Sequence, residues 1–254
     1  MQFDAPRGYP LGTNTTFKVA SSIVIPILNL LTKRDWRGGE NLPKTGPVIV
    51  ISNHVSYADA LVFAHFLFRN GRAVRYLGKD SVFKIPVLGK ILLAAGQIPV
   101  ARESDKASHA LDSALGLLKA GHCVGIYPEG TLTRDAKLWP MVAKTGIARL
   151  AIMSKAPVIP IAQWGDQNLL APYSKRLIFW RRTKITYLAG PALDFSKWYG
   201  KEEDQAALIE ATAYAMSEIT KLLEQIRGEL APHEIFDPHK SNLPRTGNFK
   251  KKKD

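Results

Sequence analysis

Short apolar segments rich in β-branched residues alternate along this chain with longer segments of helical periodicity. Residues 47–52 form a continuous apolar run, as expected of a strand buried on both faces. The pattern predicts further strands at 73–77, 97–100, 123–127, 157–162 and 184–188. It predicts helices at 57–68, 85–95, 105–119, 144–154 and 202–227. Strands that alternate with helices predict a single α/β domain with a central, largely parallel sheet flanked by helices.

An apolar stretch precedes the first of these strands, at residues 19–31. It is shorter than the roughly 20 residues that cross a bilayer, and Pro26 interrupts it. Lys33, Arg34 and Arg37 follow it closely. An amphipathic helix beside basic residues suits the interface of an anionic membrane. A helix packed into the core explains the apolar positions equally well, so both interpretations stay open at this point.

The charge balance narrows the choice of partner. The 254 residues include 35 Lys and Arg against 22 Asp and Glu, which gives a formal net charge of +13. Such a balance favours a nucleic acid, a phosphorylated small molecule or an anionic membrane. Cys123 is the single cysteine, which excludes a disulfide framework and a thiolate metal cluster.

His54 and Asp59 lie five positions apart in the stretch SNHVSYAD, directly after the strand at 47–52. Residues at this spacing on a helix point in different directions, so the pair would straddle a strand-to-helix turn. In one interpretation Ser56 and Asp59 only cap the helix. In the other, His54 lies at the carboxyl end of a parallel strand, where α/β proteins place their sites, and Asp59 orients its imidazole as a base.

Three further features could belong to a site, and each has a simpler explanation. Arg102 follows a short strand and suits a phosphate, although a surface arginine without a role is commoner. Glu129 lies in the turn Tyr127-Pro-Glu-Gly-Thr131, where the Pro and Gly are explained by the turn alone. Arg134 and Lys144 add positive charge, and Lys144 opens a predicted helix whose N-terminus favours anions.

Taken together and in order, four sequence blocks resemble those of the glycerolipid acyltransferases, and within them the bacterial 1-acylglycerol-3-phosphate acyltransferases. The resemblance covers residues 36–193. The blocks are Asn53-His54-x4-Asp59, Gly96-x5-Arg102, Tyr127-Pro-Glu-Gly-Thr131 and Pro157-Val-Ile-Pro160.

The resemblance implies a role for each matching residue. His54 would be the general base and Asp59 its orienting partner. Arg102 would hold the acceptor's phosphate, and Glu129, with Gly130 and Thr131, would position the glycerol acceptor.

The third block departs from the family pattern F-P-E-G-T-R-S. Tyr127 replaces the Phe, and Leu132 occupies the position of the Arg. Arg134, two residues further on, is expected to substitute for that Arg, with Lys144 adding charge.

The reaction implied is transfer of a fatty acyl group from acyl-CoA or acyl-carrier protein to the sn-2 hydroxyl of 1-acylglycerol 3-phosphate, giving phosphatidic acid. It needs no cofactor and no metal, and the His–Asp pair has no clustered third ligand for metal-assisted hydrolysis. The same blocks fit acylation of glycerol 3-phosphate, another lysophospholipid or a glycolipid. A basic protein that binds a membrane surface or nucleic acid is the non-enzymatic alternative, and we expect no nucleic-acid partner.

These substrates place the protein at an anionic membrane. We expect a peripheral or monotopic enzyme at the cytoplasmic face of the cell membrane, with an N-terminal membrane-interface segment at 1–35. The acyltransferase domain would cover 36–231. A basic, disordered tail would cover 232–254, which ends in four lysines before Asp254.

Overall fold

A seven-stranded sheet forms the centre of the protein, as seen in a computed structural model that describes residues 11–100, 104–174, 176–238 and 240–241. The strands are β1 (Thr32–Arg37), β2 (Val48–Ser52), β3 (Val74–Lys79), β4 (Ile98–Val100), β5 (Cys123–Ile126), β6 (Val158–Trp164) and β7 (Thr183–Ala189). Their order is β1-β7-β6-β2-β5-β3-β4, and only the β6–β7 pair is antiparallel. The predicted α/β fold with a largely parallel sheet is confirmed.

Helices cover both faces of the sheet. They are α1 (Thr15–Leu31), α2 (Asp59–Arg69), α3 (Asp80–Phe83), α4 (Leu88–Ala94), α5 (Ser104–Lys119), α6 (Gly146–Ser154), α7 (Asp166–Leu169) and α8 (Gln205–Arg227). Alternate residues of β2 point to opposite faces, so Val48 and Val50 pack in the cluster with α1 and α2. Ile49 and Ile51 pack in the cluster with α5, α6 and α8. This three-layer arrangement explains why the strand is apolar at every position.

The six predicted strands are present within a few residues of their predicted ends, but β1 was missed. Its sequence, TKRDWR, is mostly charged because β1 lies at the edge of the sheet and pairs only with β7. Residues 32–35, assigned from sequence to the N-terminal segment, therefore belong to the sheet. The start of the predicted tail is likewise packed, since the backbone amide of Val142 donates to the carbonyl of Phe236 over 3.0 Å.

Helix α1 combines the two interpretations of the N-terminal apolar stretch. Leu28 and Leu31 are buried in the core beneath it. Its outer side is an exposed apolar stripe spaced by three or four residues, formed by Val19, Ile23, Ile27 and Leu30. Among the helices of the described residues, none is long and apolar enough to cross a bilayer.

The strand directions determine which chain segments meet at one edge of the sheet, meaning here the edge that runs across the strand ends. The carboxyl ends of β2, β5 and β6 lie there because these strands are parallel. Since β7 is antiparallel to β6, and β1 is parallel to β7, the first residues of β7 and β1 lie at the same edge. We call it the site edge.

Candidate active site

The imidazole of His54 and the carboxylate of Asp59 form a hydrogen-bonded pair at the site edge. His54 follows β2, and Asp59 is the first residue of α2, so the chain turns between them. Asp59 Oδ2 lies 2.8 Å from His54 Nδ1 and also accepts the backbone amides of Val55 and Ser56, at 2.7 and 2.9 Å. An oxygen that accepts two amides favours a proton on Nδ1, which leaves Nε2 of His54 as the basic nitrogen.

The proposed helix cap is only partly as predicted. Ser56 lies outside α2, whose first residue is Asp59. Its hydroxyl accepts the amide of Ala58 at 3.0 Å and donates to the carbonyl of Leu170 at 2.6 Å. The Ser56 hydroxyl thus ties this turn to the loop after α7. The amides of Val55, Ser56 and Ala58 all have side-chain acceptors, so they are not available to stabilise an oxyanion.

The His54 ring is held by stacking as well as by hydrogen bonds. It lies parallel to the ring of Tyr127, with 4.1 Å between centroids. Tyr127 stacks in turn on Tyr76. Burial raises the pKa of both phenols well above the ordinary value, so neither carries charge at neutral pH. The His54 side chain is 17% exposed, so a substrate can reach it.

Glu129 is a buried side chain that holds the backbone of the site in place. Its Oε1 accepts the backbone amide of His54 at 3.0 Å, and its Oε2 accepts the amide of Met141 at 3.1 Å. The residue is 3% exposed. This arrangement does not support the prediction that the Glu129 carboxyl contacts the acceptor directly, because both oxygens face the protein interior. Glu129 instead fixes the backbone on which the His54 ring is mounted.

Burial makes the contribution of Glu129 to folding stability depend on pH. It raises the pKa from 4.5 to about 8, against the opposing effect of the two amides. The folded carboxyl therefore holds a proton that the unfolded chain releases above about pH 5, so this group's contribution to stability falls as pH rises through 8. In Glu129→Gln we expect this slope to disappear. The variant should also lose about 1–3 kcal/mol, because a carboxamide has one acceptor oxygen for two amides.

Urea unfolding from about pH 5 to pH 8.5 measures both effects on Glu129→Gln. The matched control is Glu203→Gln, since Glu203 is exposed and pairs with Arg149 on the surface. The control should keep the wild-type slope. An unchanged slope in Glu129→Gln would show that this carboxyl is ionised in the folded protein.

A buried polar network holds the end of β2 against β6. The side-chain amide of Asn53 pairs with the backbone of Gln163, donating to its carbonyl at 3.0 Å and accepting its amide at 2.9 Å. The Gln163 side chain accepts from the hydroxyl of Tyr187, which also lies 3.0 Å from Asp166 Oδ2. A phenol has one proton, so one partner must donate to it. Burial raises the pKa of Asp166 well above its usual range, so the neutral carboxyl of Asp166 is that donor.

Sequence reasoning missed Gln163, Asp166 and Tyr187, because they come from β6, α7 and β7, more than a hundred positions after His54. The one local signal was a glutamine inside the otherwise apolar β6. Their hydrogen bonds fix the residue immediately before His54.

The predicted cations differ in their surroundings. Arg134 is 4% exposed, and its Nη1 donates to the hydroxyl of Tyr173 at 2.8 Å. Lys144 is exposed, and its side chain lies across Gly130, where an added Cβ would come within 3.2 Å of Lys144 Cε. Gly130 itself has φ +69°, a conformation that favours glycine. Arg102 lies outside the described residues.

The structure thus brings most of the predicted site to one place. His54 and Asp59 follow β2, while Glu129, Gly130, Thr131 and Arg134 follow β5, its neighbour in the sheet. The carbonyl of His54 accepts the amide of Thr133 at 2.8 Å, which joins the two segments. A histidine hydrogen-bonded to a carboxylate at the ends of parallel strands is typical of group-transfer and hydrolytic enzymes of the α/β class.

Comparison with known proteins identifies the family. The profile of the Acyltransferase family matches residues 33–164, which is more than half of the chain. The 1-acyl-sn-glycerol-3-phosphate acyltransferase of Borreliella burgdorferi is 27% identical over 191 residues, 75% of this chain and 71% of the relative. The Bacillus subtilis protein of the same name is 28% identical over 213 residues, 83% of this chain and 100% of the relative.

A solved structure shares the fold. The 1-acyl-sn-glycerophosphate acyltransferase PlsC of Thermotoga maritima aligns with a TM-score of 0.61 at 22% identity, covering 85% of this chain and 84% of that one. The chain belongs to the Acyltransferase family, and the protein is an acyltransferase. The family resemblance drawn from the four sequence blocks is confirmed.

Proposed function

We propose that the protein transfers a fatty acyl group from an acyl thioester to the sn-2 hydroxyl of 1-acylglycerol 3-phosphate, giving phosphatidic acid. The observation that carries the proposal is the 2.8 Å contact between His54 Nδ1 and Asp59 Oδ2, which leaves Nε2 as a base at the exposed side of the ring. The choice of acceptor is supported by the names of the relatives in Borreliella burgdorferi and Bacillus subtilis.

The proposed reaction is a direct transfer between two bound substrates. His54 Nε2 removes the proton from the acceptor hydroxyl as its oxygen attacks the thioester carbonyl. The tetrahedral intermediate then expels the thiolate of coenzyme A or acyl-carrier protein, and the imidazolium returns the proton to the sulfur. Asp59 stabilises the imidazolium between these steps. The products are the ester and a free thiol, and no cofactor is required.

Two nucleophilic side chains of this region, Ser56 and Cys123, are unsuited to an acyl-enzyme. The Ser56 hydroxyl already donates to the carbonyl of Leu170. Cys123 is buried inside β5, and burial raises the pKa of its thiol to about 12, so the thiolate is not formed at neutral pH. Acyl group found covalently attached to the protein during turnover would overturn direct transfer.

The acceptor's phosphate would lie near the turn after β5. Lys144 is an exposed cation there, and Arg102 and Arg134 are further candidates. In Lys144→Ala we expect KM for lysophosphatidic acid to rise about tenfold with kcat little changed, because a charge-assisted hydrogen bond is lost. Steady-state kinetics would compare it with Lys119→Ala, which removes an exposed lysine at the opposite edge of the sheet. An equal KM in both variants would exclude Lys144 as a phosphate ligand.

The exposed stripe of α1 supports a membrane-bound working state. Lys33 and Arg34 lie directly after the helix, where they would meet lipid phosphates while the apolar stripe enters the interface. We therefore place the enzyme at the cytoplasmic face of the cell membrane, as a peripheral or monotopic protein. The donor carrier and the membrane are partners in this proposal.

A panel of acceptors tests the proposed function. Thiol release from palmitoyl-CoA and from palmitoyl-acyl-carrier protein would be measured with lysophosphatidic acid, glycerol 3-phosphate, lysophosphatidylcholine and a glycolipid. We expect release that depends on lysophosphatidic acid. Release with another acceptor alone would move the proposal to that substrate. Binding to nucleic acid or vesicles, with no release for any acceptor, would support the non-enzymatic alternative.

A further inference from the structure

We infer that residues 176–182 form a second membrane-contact element that inserts Phe179 and Trp180 into an anionic lipid interface beside the site. This segment joins α7 to β7 and reads RLIFWRR. Phe179 and Trp180 are 71% and 60% exposed, and their rings pack edge to face with 5.7 Å between centroids. Two adjacent aromatic side chains of this size are rarely left in water without a partner.

The charges around the two rings identify the partner as anionic. Arg176, Arg181 and Arg182 flank them, and no acidic residue occurs between Asp166 and Asp194. The Arg176 guanidinium lies 5.8 Å from the centre of the Trp180 ring. Aromatic side chains between arginines suit the headgroup level of a bilayer, where the rings meet acyl chains and the cations meet phosphates.

The segment is fixed at both ends, so the aromatic side chains are presented by a defined backbone. The amide of Ile178 donates to the carbonyl of Leu169 at 2.9 Å. The Arg182 guanidinium donates to the carbonyls of Asn29 and Thr32, at 3.1 and 2.8 Å. Arg182 thereby caps the carboxyl end of α1 and attaches the segment to it.

Strand register brings the segment beside the carboxyl end of α1, which carries the last residue of its exposed stripe. Thr183 pairs with Thr32 in the parallel β7–β1 pair. Trp180 lies three residues before Thr183, and the exposed Leu30 lies two residues before Thr32. Both chain segments reach the sheet at the site edge, where His54 also lies. An extended apolar surface bordered by arginines fits a membrane better than nucleic acid, which presents no acyl phase to four aliphatic side chains of α1.

The same loop also reaches the site. Tyr173, on the loop that leads to the segment, contacts the ring of Tyr57 edge to face, with centroids 6.3 Å apart, and accepts a hydrogen bond from Arg134. Membrane contact by residues 176–182 would hold the His54 side of the molecule against the lipid surface. Its biological purpose rests on the proposed function, but the contact itself does not.

The indole fluorescence of Trp180 can report its contact with lipid. Of the five tryptophans, the other four are buried or half-buried. Wild type would be mixed with vesicles of phosphatidylcholine and phosphatidylglycerol whose acyl chains carry bromine, a contact quencher of indole fluorescence. We expect quenching and a blue shift of the emission. Trp180→Phe should still sediment with the vesicles but lose most of the quenching.

Partition of variants into the vesicles measures how much the aromatic rings and the arginines contribute to membrane binding. The double variant Phe179→Ala/Trp180→Ala should bind at least about tenfold more weakly, given the apolar area removed. Arg176→Gln/Arg181→Gln should bind more weakly to the anionic vesicles only. Met153→Ala/Ile209→Ala is the control: it removes exposed apolar side chains from α6 and α8, which cover the other face of the sheet, and should bind as wild type does.

No substrate is present in these measurements, so their outcome does not depend on whether the proposed reaction is correct. Unchanged partition of Phe179→Ala/Trp180→Ala, or equal quenching in wild type and Trp180→Phe, would overturn the inference. So would a variant that binds vesicles normally but loses affinity for single-stranded DNA, since residues 176–182 would then serve nucleic acid. Circular dichroism and thermal unfolding of each variant would confirm that its fold is intact.

Discussion

His54→Ala is expected to lower kcat for acyl transfer by about 10²- to 10⁴-fold, the usual contribution of a positioned general base. KM for both substrates should change little, because the imidazole acts on the hydroxyl proton as the transition state forms. The fold should survive. The backbone amide and carbonyl of His54 keep their bonds to Glu129 and Thr133, and neither depends on the ring.

Single-turnover and steady-state thiol release would measure this effect, with unfolding curves to compare stability. His109→Ala is the matched control, because His109 is an exposed histidine on α5. It should retain wild-type turnover. A His54→Ala variant with more than about a tenth of wild-type kcat would contradict the assignment of His54 as the base.

Asp59→Asn is expected to cost almost as much activity, about 10²-fold or more. The asparagine oxygen can occupy the position of Oδ2 and accept the amides of Val55 and Ser56, so the turn can keep its shape. A neutral carboxamide still accepts from His54 Nδ1, but it stabilises the imidazolium far less than a carboxylate does. The loss should therefore appear mainly in kcat.

Asp59→Ala separates the contribution of Asp59 to stability from its contribution to catalysis. It leaves the two buried amides without an acceptor, which should cost about 2–5 kcal/mol of stability in addition to the loss of activity. Asp35→Asn, at an exposed salt bridge on β1, is the control for removing one negative charge. If Asp59→Asn lowered stability but retained kcat per folded molecule, Asp59 would be a helix cap and no more.

The sequence predicted the parts of this fold that depend on local periodicity. The β2 run VIVIS is apolar throughout because helices bury both of its faces, and this is visible without a structure. β1 could not be found in the same way. Its residues are charged because one of its sides has no neighbouring strand, and only the distant β7 defines it.

The candidate site, like the fold, was predictable from the sequence only in part. The spacing of His54 and Asp59 indicated a strand-to-helix turn, and the 2.8 Å contact between the two side chains agrees with that interpretation. The direction in which Glu129 points was beyond sequence reasoning, because the same turn could present its carboxyl outward or inward. The hydrogen bond from the backbone amide of Met141 to Glu129 Oε2 holds the carboxyl inward, and Met141 is twelve positions away.

The aromatic pair of residues 176–182 was overlooked for another reason. Phe179 and Trp180 are apolar positions in a chain whose described aromatic residues are mostly buried or half-buried, so the sequence alone suggests a core segment. Their exposure follows from the two anchors at Ile178 and Arg182, which belong to tertiary structure.

The most direct test of the central claim is a mass balance of the reaction. Wild-type protein would be given palmitoyl-CoA and 1-oleoyl lysophosphatidic acid, with free thiol and lipid products measured in the same samples, the lipids by mass spectrometry with positional analysis. The account predicts one 1-oleoyl-2-palmitoyl phosphatidic acid for each thiol released, and little release without the acceptor. Thiol release matched by free palmitate, with no phosphatidic acid, would show transfer to water and contradict it.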